Sequence, residues 1–245
     1  YARPEHETAL AEWVRASRPD LPVTCSIDVC PEFREYERCS TTALAAYVQP
    51  VIEGYLRRFD RALRDRHHAG RFSVMQSNGG RLPAQAMGEN AITSLFSGPA
   101  AGVTGATHQA RRSGLTDIIT LDMGGTSTDV CLVESSRPML SGNTEIDGLP
   151  IKTPVIDIAT VGAGGGSIVW IDDGGLLRVG PRSAGATPGP ACYGRGGSEA
   201  TVTDAHVVRG TVRPENFLAG QMPLDGARAR LAFEPIADAL GISVE

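Results

Sequence analysis

The sequence predicts an α/β fold. Three observations predict it: stretches where apolar residues recur at three and four positions (5–17 and 40–66), two apolar runs joined by a Gly-Gly pair (119–134), and several short β-like runs after them. Residues 5–17 set Leu10, Trp13 and Val14 on one helical face, and PVTCSIDV at 22–29 reads as a strand from its β-branched content. From Ser40 or Thr41 as cap, Leu44, Val48, Val51, Tyr55, Phe59 and Leu63 define a long amphipathic helix, which Pro50 should kink. Its other face carries Arg57, Arg58, Arg61, Arg64 and Arg66 with Asp60 and Asp65 between them, the pattern of a solvated face. RFSVMQSNGG (71–80) is a short strand entering a Gly turn, and 99–112 a helix of small residues able to lie close against a neighbour. ITLDMGGTSTDVCLVE (119–134) is a hairpin. Short strands are expected at 155–161, 167–171 and 176–179, then a long Gly/Pro loop (180–198) and helices near 203–209 and 225–240.

Composition narrows the function. With 245 residues, 41% apolar and 21% charged, the chain can build a core, and its net charge of −5 disfavours nucleic acid as a partner. Lys152 is the only lysine, and Ile151 precedes it, so no Gly-Lys-Ser/Thr phosphate loop and no protein-kinase lysine set exists. Five cysteines (Cys25, Cys30, Cys39, Cys131, Cys192) form no CxxC pair and are odd in number, which points to reduced thiols in a cytoplasmic protein. No signal peptide opens the chain, and its least charged window, 90–110, is too broken by Ser, Thr, Gly and Pro to cross a bilayer, so no membrane role is expected. Tyr1 is not an initiator, which reads as an excised piece of a longer chain.

The segment richest in chemistry is Asp122-Met123-Gly124-Gly125-Thr126-Ser127-Thr128-Asp129. Without Cβ atoms at 124 and 125 the backbone amides can reach phosphate oxygens, and the hydroxyls of Thr126, Ser127 and Thr128 extend that donor array. Two acids beside a polyphosphate require a divalent cation, so Asp122 and Asp129 imply Mg²⁺ held through its waters. The competing reading is a plain Gly-Gly hairpin turn, which calls for neither the hydroxyls nor the acids. A second loop, Val161-Gly162-Ala163-Gly164-Gly165-Gly166-Ser167, lacks the sixth-position Gly and following helix of a dinucleotide fingerprint. It reads equally as a phosphate-approaching loop or a strained turn. Cys192, within 180–197, has no histidine in its loop and reads as an ordinary buried thiol. Ser97, Asp204 and His206 are further polar candidates, His206 reading as a surface helix residue. The histidines show no metal-ligand spacing.

Taken together and in order, ERCSTTALAAYVQP, VMQSNGG, SGPAAGVTGA, LDMGGTSTDV, TVGAGGGSI, RVGPRSAGATPGPACYGRGG and TVTDAHVVRG resemble the ATP-dependent hydantoinase A/5-oxoprolinase family, which includes the related subunit of acetone and acetophenone carboxylases. The resemblance covers nearly the whole chain from about residue 4 and is specific as a set. It implies an actin-like ATPase fold of two ribonuclease-H-like lobes closing on Mg-ATP, incomplete in this chain. Residues 1–115 would be the remainder of the first lobe with the interlobe helix, and 116–245 the start of the second with its phosphate hairpin. By that resemblance Asp122 faces Mg²⁺, Gly124, Gly125, Thr126, Ser127 and Thr128 cradle the β- and γ-phosphates, Gly164, Gly165, Gly166 and Ser167 approach from the other side, and Asp129 orients the attacking group.

The chain departs from the family at Ala45, where members have Asn, and in holding only one D-x-G-G-T-type loop. The first phosphate loop and the residues that bind the base are therefore expected outside it, and the isolated chain is expected not to hydrolyse ATP. The implied activity is ATP-dependent activation of a cyclic amide such as hydantoin or 5-oxoproline for hydrolysis, alongside a second, hydantoinase-B-type subunit or domain. Activation of a ketone for carboxylation is the alternative. A nucleotide-gated, chaperone-like binding module is the reading from another class, distinguished by whether small carbonyl compounds or polypeptides stimulate ATP consumption.

Overall fold

The computed structural model describes residues 2–244. Two compact units divide the chain, one of Tyr1–Thr120 with Cys131–Ile158, the other of Leu121–Val130 with Ala159–Glu245.

The first unit opens with α1 (Pro4–Ser17), whose Pro4 sits where a missing N–H costs nothing. Leu10 and Trp13 are exposed on it, and Ala11 is the residue it buries. The strand expected at 22–29 is coil leading into one helical turn, α2 (Ser26–Val29). The reason is a contact from a distant part of the sequence: the Glu7 carboxylate accepts from the Ser26 amide and, at 3.0 Å, from its hydroxyl, placing an acid where helix-start amides lack partners.

The long helix α3 runs Glu35–Asp65, beginning five residues before the expected cap. Thr41 lies inside it, fully buried, its hydroxyl donating to the Glu37 carbonyl (2.7 Å) and accepting from the Lys152 amide (2.9 Å). The packed line therefore passes through Thr41, Ala45 and Leu56, and Val51, Tyr55 and Phe59 stay exposed. On its basic face, ion pairs join Arg57 to Glu53 (3.1 Å) and Arg64 to Asp60 (2.8 Å), each about 0.3–0.5 kcal/mol as exposed pairs four residues apart.

Strands β1 (Ser73–Met75) and β2 (Arg81–Pro83) form a hairpin closed by Gly80 donating to the Asn78 side chain at 2.8 Å. The short α4 (Ala84–Glu89) and then α5 (Ser97–Arg112) follow. As its small residues allow, α5 packs closely: Ala100 and Val103 join Cys131, Val133 and Ile156 in one core cluster. Those partners lie on β4 (Thr128–Glu134), which with β3 (Ile118–Met123) makes the expected hairpin, and on β9 (Val155–Ile156). Between them run β5 (Arg137–Pro138), β6 (Leu140–Ser141), β7 (Thr144–Ile146) and β8 (Leu149–Ile151). The run expected as one strand at 155–161 is two, because β9 pairs with β6 whereas β10 (Ala159–Val161) pairs with β4.

In the second unit β10 lies antiparallel to the tip half of β4, Thr160 opposite Asp129. A second hairpin joins β11 (Ser167–Ile171) to β12 (Leu177–Ser183), so the Gly/Pro loop is strand until Ser183. Helices α6 (Val202–Val208) and α7 (Gly226–Leu240) close the unit around Cys192, Val207, Leu224 and Ala229. Asp225 caps α7, accepting from the Ala227 and Arg228 amides at 3.0 and 3.1 Å. Among the described residues no helix is long and apolar enough to cross a membrane.

Candidate functional site

The connection between β3 and β4 is too short for anything but an antiparallel turn, and the Gly124 amide closes it by donating to the Ser127 carbonyl (2.8 Å). Counting back from that pair puts Asp122 across from Asp129 on one face of the ladder. The Asp129 carboxylate accepts from Thr160 Oγ1 at 2.7 Å, and Asp122 is exposed. Thr128 points the other way, buried, its hydroxyl donating to the Ala163 carbonyl (2.5 Å). Of the hydroxyls expected to face phosphate, Thr128 is thus already spent. Those of Thr126 and Ser127 are not, nor are the amides of Gly125, Thr126 and Ser127, which have no acceptor among the described residues.

Gly125 requires no positive φ, and a Cβ built on it would meet nothing within 4 Å. Neither backbone conformation nor packing demands glycine there.

The second glycine loop behaves otherwise. The Gly165 amide donates to the Gly124 carbonyl (2.8 Å), that of Gly166 to the Gly125 carbonyl (2.7 Å), that of Gly164 to Ser167 Oγ (2.8 Å), and that of Ser167 to the Gly164 carbonyl (3.0 Å). The amides expected to approach phosphate from the other side are turned to the hairpin and to each other. A Cβ on Gly164 would stand 2.6 Å from the Ser127 nitrogen and 2.7 Å from the Gly124 oxygen. Close backbone approach therefore accounts for that glycine. The loop is held in turn by Thr203, whose amide and hydroxyl both donate to the Gly165 carbonyl (2.8 and 2.7 Å).

Within the second unit the tip borders a cavity of about 500 Å³. Gly124, Gly125 and Thr126 line it together with Gly165 and Gly166, and so do Tyr193, Val212, Phe217 and His206. No Asp, Glu, Lys or Arg lines it, and neither Asp122 nor Asp129 reaches it. His206, expected on an open helix surface, is on this wall; its i, i+3 relation to Thr203 carried the signal. Tyr193 and Phe217 were missed. They occupy irregular segments around 191–193 and 214–220, where no periodicity marks a face.

Asp204 is fully buried, its carboxylate accepting from the amides of Ala191 (3.2 Å), Cys192 (2.8 Å) and Thr201 (2.9 Å) and from Thr201 Oγ1 (2.7 Å). Burial, and next the adjoining Asp204 carboxylate, push the Cys192 thiol far above the ordinary thiol range, so it is no thiolate nucleophile. Burial likewise raises Cys25, Cys30 and Cys131. Iodoacetamide at pH 8 is therefore expected to label exposed Cys39 in the folded protein and to spare these four, read by peptide mass mapping. Rapid labelling of Cys192 would contradict its placement.

Among the described residues no group of three or more His, Cys, Asp or Glu could hold a metal. The facing pair Asp122 and Asp129 fits a different mode, since Mg²⁺ commonly keeps its waters and takes only one or two carboxylates plus phosphate oxygens.

The fold is a mixed α/β fold shared with ATP-dependent caprolactamase from Pseudomonas jessenii, whose crystal structure matches with a TM-score of 0.84 and 43% identity over 99% of this chain and 35% of that one. The chain belongs to the hydantoinase/oxoprolinase family, whose model matches residues 38–245. It is 42% identical over 243 residues to caprolactamase subunit alpha of Pseudomonas jessenii, covering 99% of this chain and 35% of that protein. It is 38% identical over 250 residues to the acetophenone carboxylase gamma subunit of Aromatoleum aromaticum, covering 99% and 34% respectively. The chain thus spans about a third of the length of these relatives.

Proposed function

We propose that this chain supplies a phosphate-binding site to an ATP-dependent enzyme subunit that activates a cyclic amide for hydrolysis. The observation that carries the reading is the hairpin tip: glycine at 125 where the fold does not need it, beside unspent amides at 125–127 and free hydroxyls on Thr126 and Ser127. Such an array binds phosphate oxygens through fixed donors that need no reorganisation. ATP would supply the phosphoryl group that makes the amide oxygen a leaving group; Mg²⁺, held through water by Asp122 and Asp129, would neutralise phosphate charge. Gly164, Gly165, Gly166 and Ser167 brace the tip from behind. Asp129, fixed by Thr160, is the candidate for orienting the attacking group.

Cyclic amide chemistry is supported by the likeness to caprolactamase, and the relatives' designation as subunits supports a second, hydantoinase-B-type partner. Likeness to an acetophenone carboxylase subunit favours ketone activation as the second reading. The test is ATP consumption by the full-length protein with its partner subunit. Stimulation by a lactam, hydantoin or 5-oxoproline supports the first reading, and stimulation only by ketone with bicarbonate supports the second. Stimulation by neither, with polypeptides active instead, sinks both.

Asp122→Asn is expected to lower turnover on the order of 10–100-fold and to raise the Mg²⁺ concentration required, as loss of an outer-sphere contact does. Unchanged Mg²⁺ dependence would remove Asp122 from the metal site.

A further inference from the structure

The turn VMQSNGG at 74–80 has no part in the phosphate reading, and its asparagine is placed to react with its own backbone. We infer that Asn78 is a site of spontaneous modification in the folded protein, losing its side-chain amide through a succinimide to leave isoaspartate. Asn78 lies in the first unit, so this reactivity stands or falls apart from the phosphate site.

Of the four asparagines, at 78, 90, 143 and 216, Asn78 alone precedes a glycine. The others precede Ala91, Thr144 and Phe217, whose side chains crowd the nitrogen that must attack. Gly79 carries no such branch, so its nitrogen is open to the Asn78 side-chain carbonyl carbon. The Asn78 side chain is exposed and already folded the right way: the Gly80 amide donates to Asn78 Oδ1 at 2.8 Å, which lays the carboxamide back over the 78–79 peptide. The same bond steadies the negative charge that develops on that oxygen during attack.

Solvent supplies the rest of the chemistry. Hydroxide takes the Gly79 amide proton, the nitrogen bonds to Asn78 Cγ, and the Cγ–Nδ2 bond breaks. Nδ2 leaves as ammonia with a proton from water, which regenerates the hydroxide. Water then opens the succinimide, and opening at the former backbone carbonyl leaves a chain that runs through Cβ and Cγ. One restraint opposes the first step: the Gly79 N–H donates to the Gln76 carbonyl at 3.0 Å. Opening a single such bond slows the reaction by about tenfold and no more.

The product does not fit the turn in which it forms, because isoaspartate inserts a methylene between Ser77 and Gly79. Ser77 is fully buried: its amide and hydroxyl donate to the Thr93 carbonyl (2.6 and 2.7 Å), its hydroxyl accepts from the Phe96 amide (3.3 Å), and its carbonyl accepts from the Ile156 amide (2.8 Å). On the other side Gly79 has a φ of +82°, and a Cβ there would stand 2.7 Å from Thr104 Oγ1 and 3.2 Å from Ile156 Cδ1. Both ends of the lengthened segment therefore rest on the surroundings of α5 and β9. A longer chain between two fixed points must displace one of them, at the edge of the cluster formed by Ala100, Val103 and Ile156.

The test follows the Asn78 amide in the full-length protein during incubation in warm, mildly alkaline buffer, by peptide mass mapping and isoaspartyl methyltransferase labelling. A synthetic peptide of residues 71–81 serves as the unfolded reference. Isoaspartate is expected at Asn78 at a rate within about tenfold of the peptide's, the limit set by one hydrogen bond, while Asn90, Asn143 and Asn216 keep their amides. Protection of the folded protein by about a hundredfold or more would overturn the inference, because more than one bond would then have to open. Equal loss at the other three asparagines would overturn it as well. Asn78→Asp, measured fresh, carries the new charge and the acceptor for Gly80 without the extra methylene, so it is expected to melt like wild type, and the isoaspartate form to melt lower. An Asn78→Asp protein weakened as much as the aged one would assign the damage to charge and overturn the backbone account. An isoaspartate form that melts like fresh protein would overturn it too, by showing that the turn absorbs the added atom.

Discussion

Gly164→Ala is expected to destabilise the protein by about 1–3 kcal/mol and to cost most of its affinity for ATP, whereas Gly125→Ala is expected to lose affinity with stability nearly unchanged. The pair separates two reasons for a glycine. At 164 an added methyl would press on backbone atoms of the hairpin tip, at 2.6 Å from the Ser127 nitrogen, 2.7 Å from the Gly124 oxygen and 2.8 Å from the Thr126 carbonyl carbon. None of these is the end of a flexible side chain, so the tip must shift, with overpacking costs of the stated size. At 125 the methyl meets nothing within 4 Å, and the φ lies in ordinary territory, so Ala fits and even restricts the unfolded chain slightly. The methyl would instead stand where a phosphate oxygen must come to reach the amides of 125–127. Denaturant midpoints and ATP titrations of both variants check this. Wild-type affinity in a folded Gly125→Ala protein would mean that no phosphate approaches the tip.

The difference between these two glycines also marks what could be read from the sequence. The hairpin, its Gly-Gly turn and its flanking acids stood out because residue type alone limits what such a turn can do. Helices α3, α5 and α7 stood out through their spacing, although the buried line of α3 runs through Thr41, Ala45 and Leu56 with Leu44 packed beside it, while Val51, Tyr55 and Phe59 of its apparent apolar face stay exposed. Two candidate stripes on one helix cannot be ranked without knowing the partner. Strands β5 to β8, two or three residues each, are too short to show a period of two. At Ser26 an acid distant in sequence overrode β-branched content. The glycine loop at 164–166 resembled a second phosphate loop because both uses require a missing Cβ; only the acceptors of its amides separate bracing from binding. Tyr193 and Phe217 meet through irregular backbone, which no pattern announces.

Asp204→Ala is expected to cost about 3–5 kcal/mol, the largest stability loss predicted for a single side chain here. Its two oxygens collect four donors: Oδ1 takes the Cys192 amide at 2.8 Å, and Oδ2 takes the Ala191 amide (3.2 Å), the Thr201 amide (2.9 Å) and the Thr201 hydroxyl (2.7 Å). With the carboxylate gone, these groups stay buried without an acceptor, each costing about 1–3 kcal/mol before relaxation. Relaxation is limited, because Thr201 and Cys192 are themselves fully buried and Thr201 caps α6. Asp204→Asn keeps the shape and one good acceptor, so its loss should be roughly half as large. The consequences extend beyond melting. Released from Asp204, the 190–192 turn should expose Cys192 to iodoacetamide, while Cys131 in the other unit stays protected. The start of α6 also positions Thr203 against Gly165, which backs the hairpin tip, so ATP affinity should fall with the clamp. Equilibrium unfolding, thiol labelling and ATP titration on the two variants measure these three effects separately. An alanine variant as stable as wild type, with Cys192 still unreactive, would show that the carboxylate does not hold the loop to the helix.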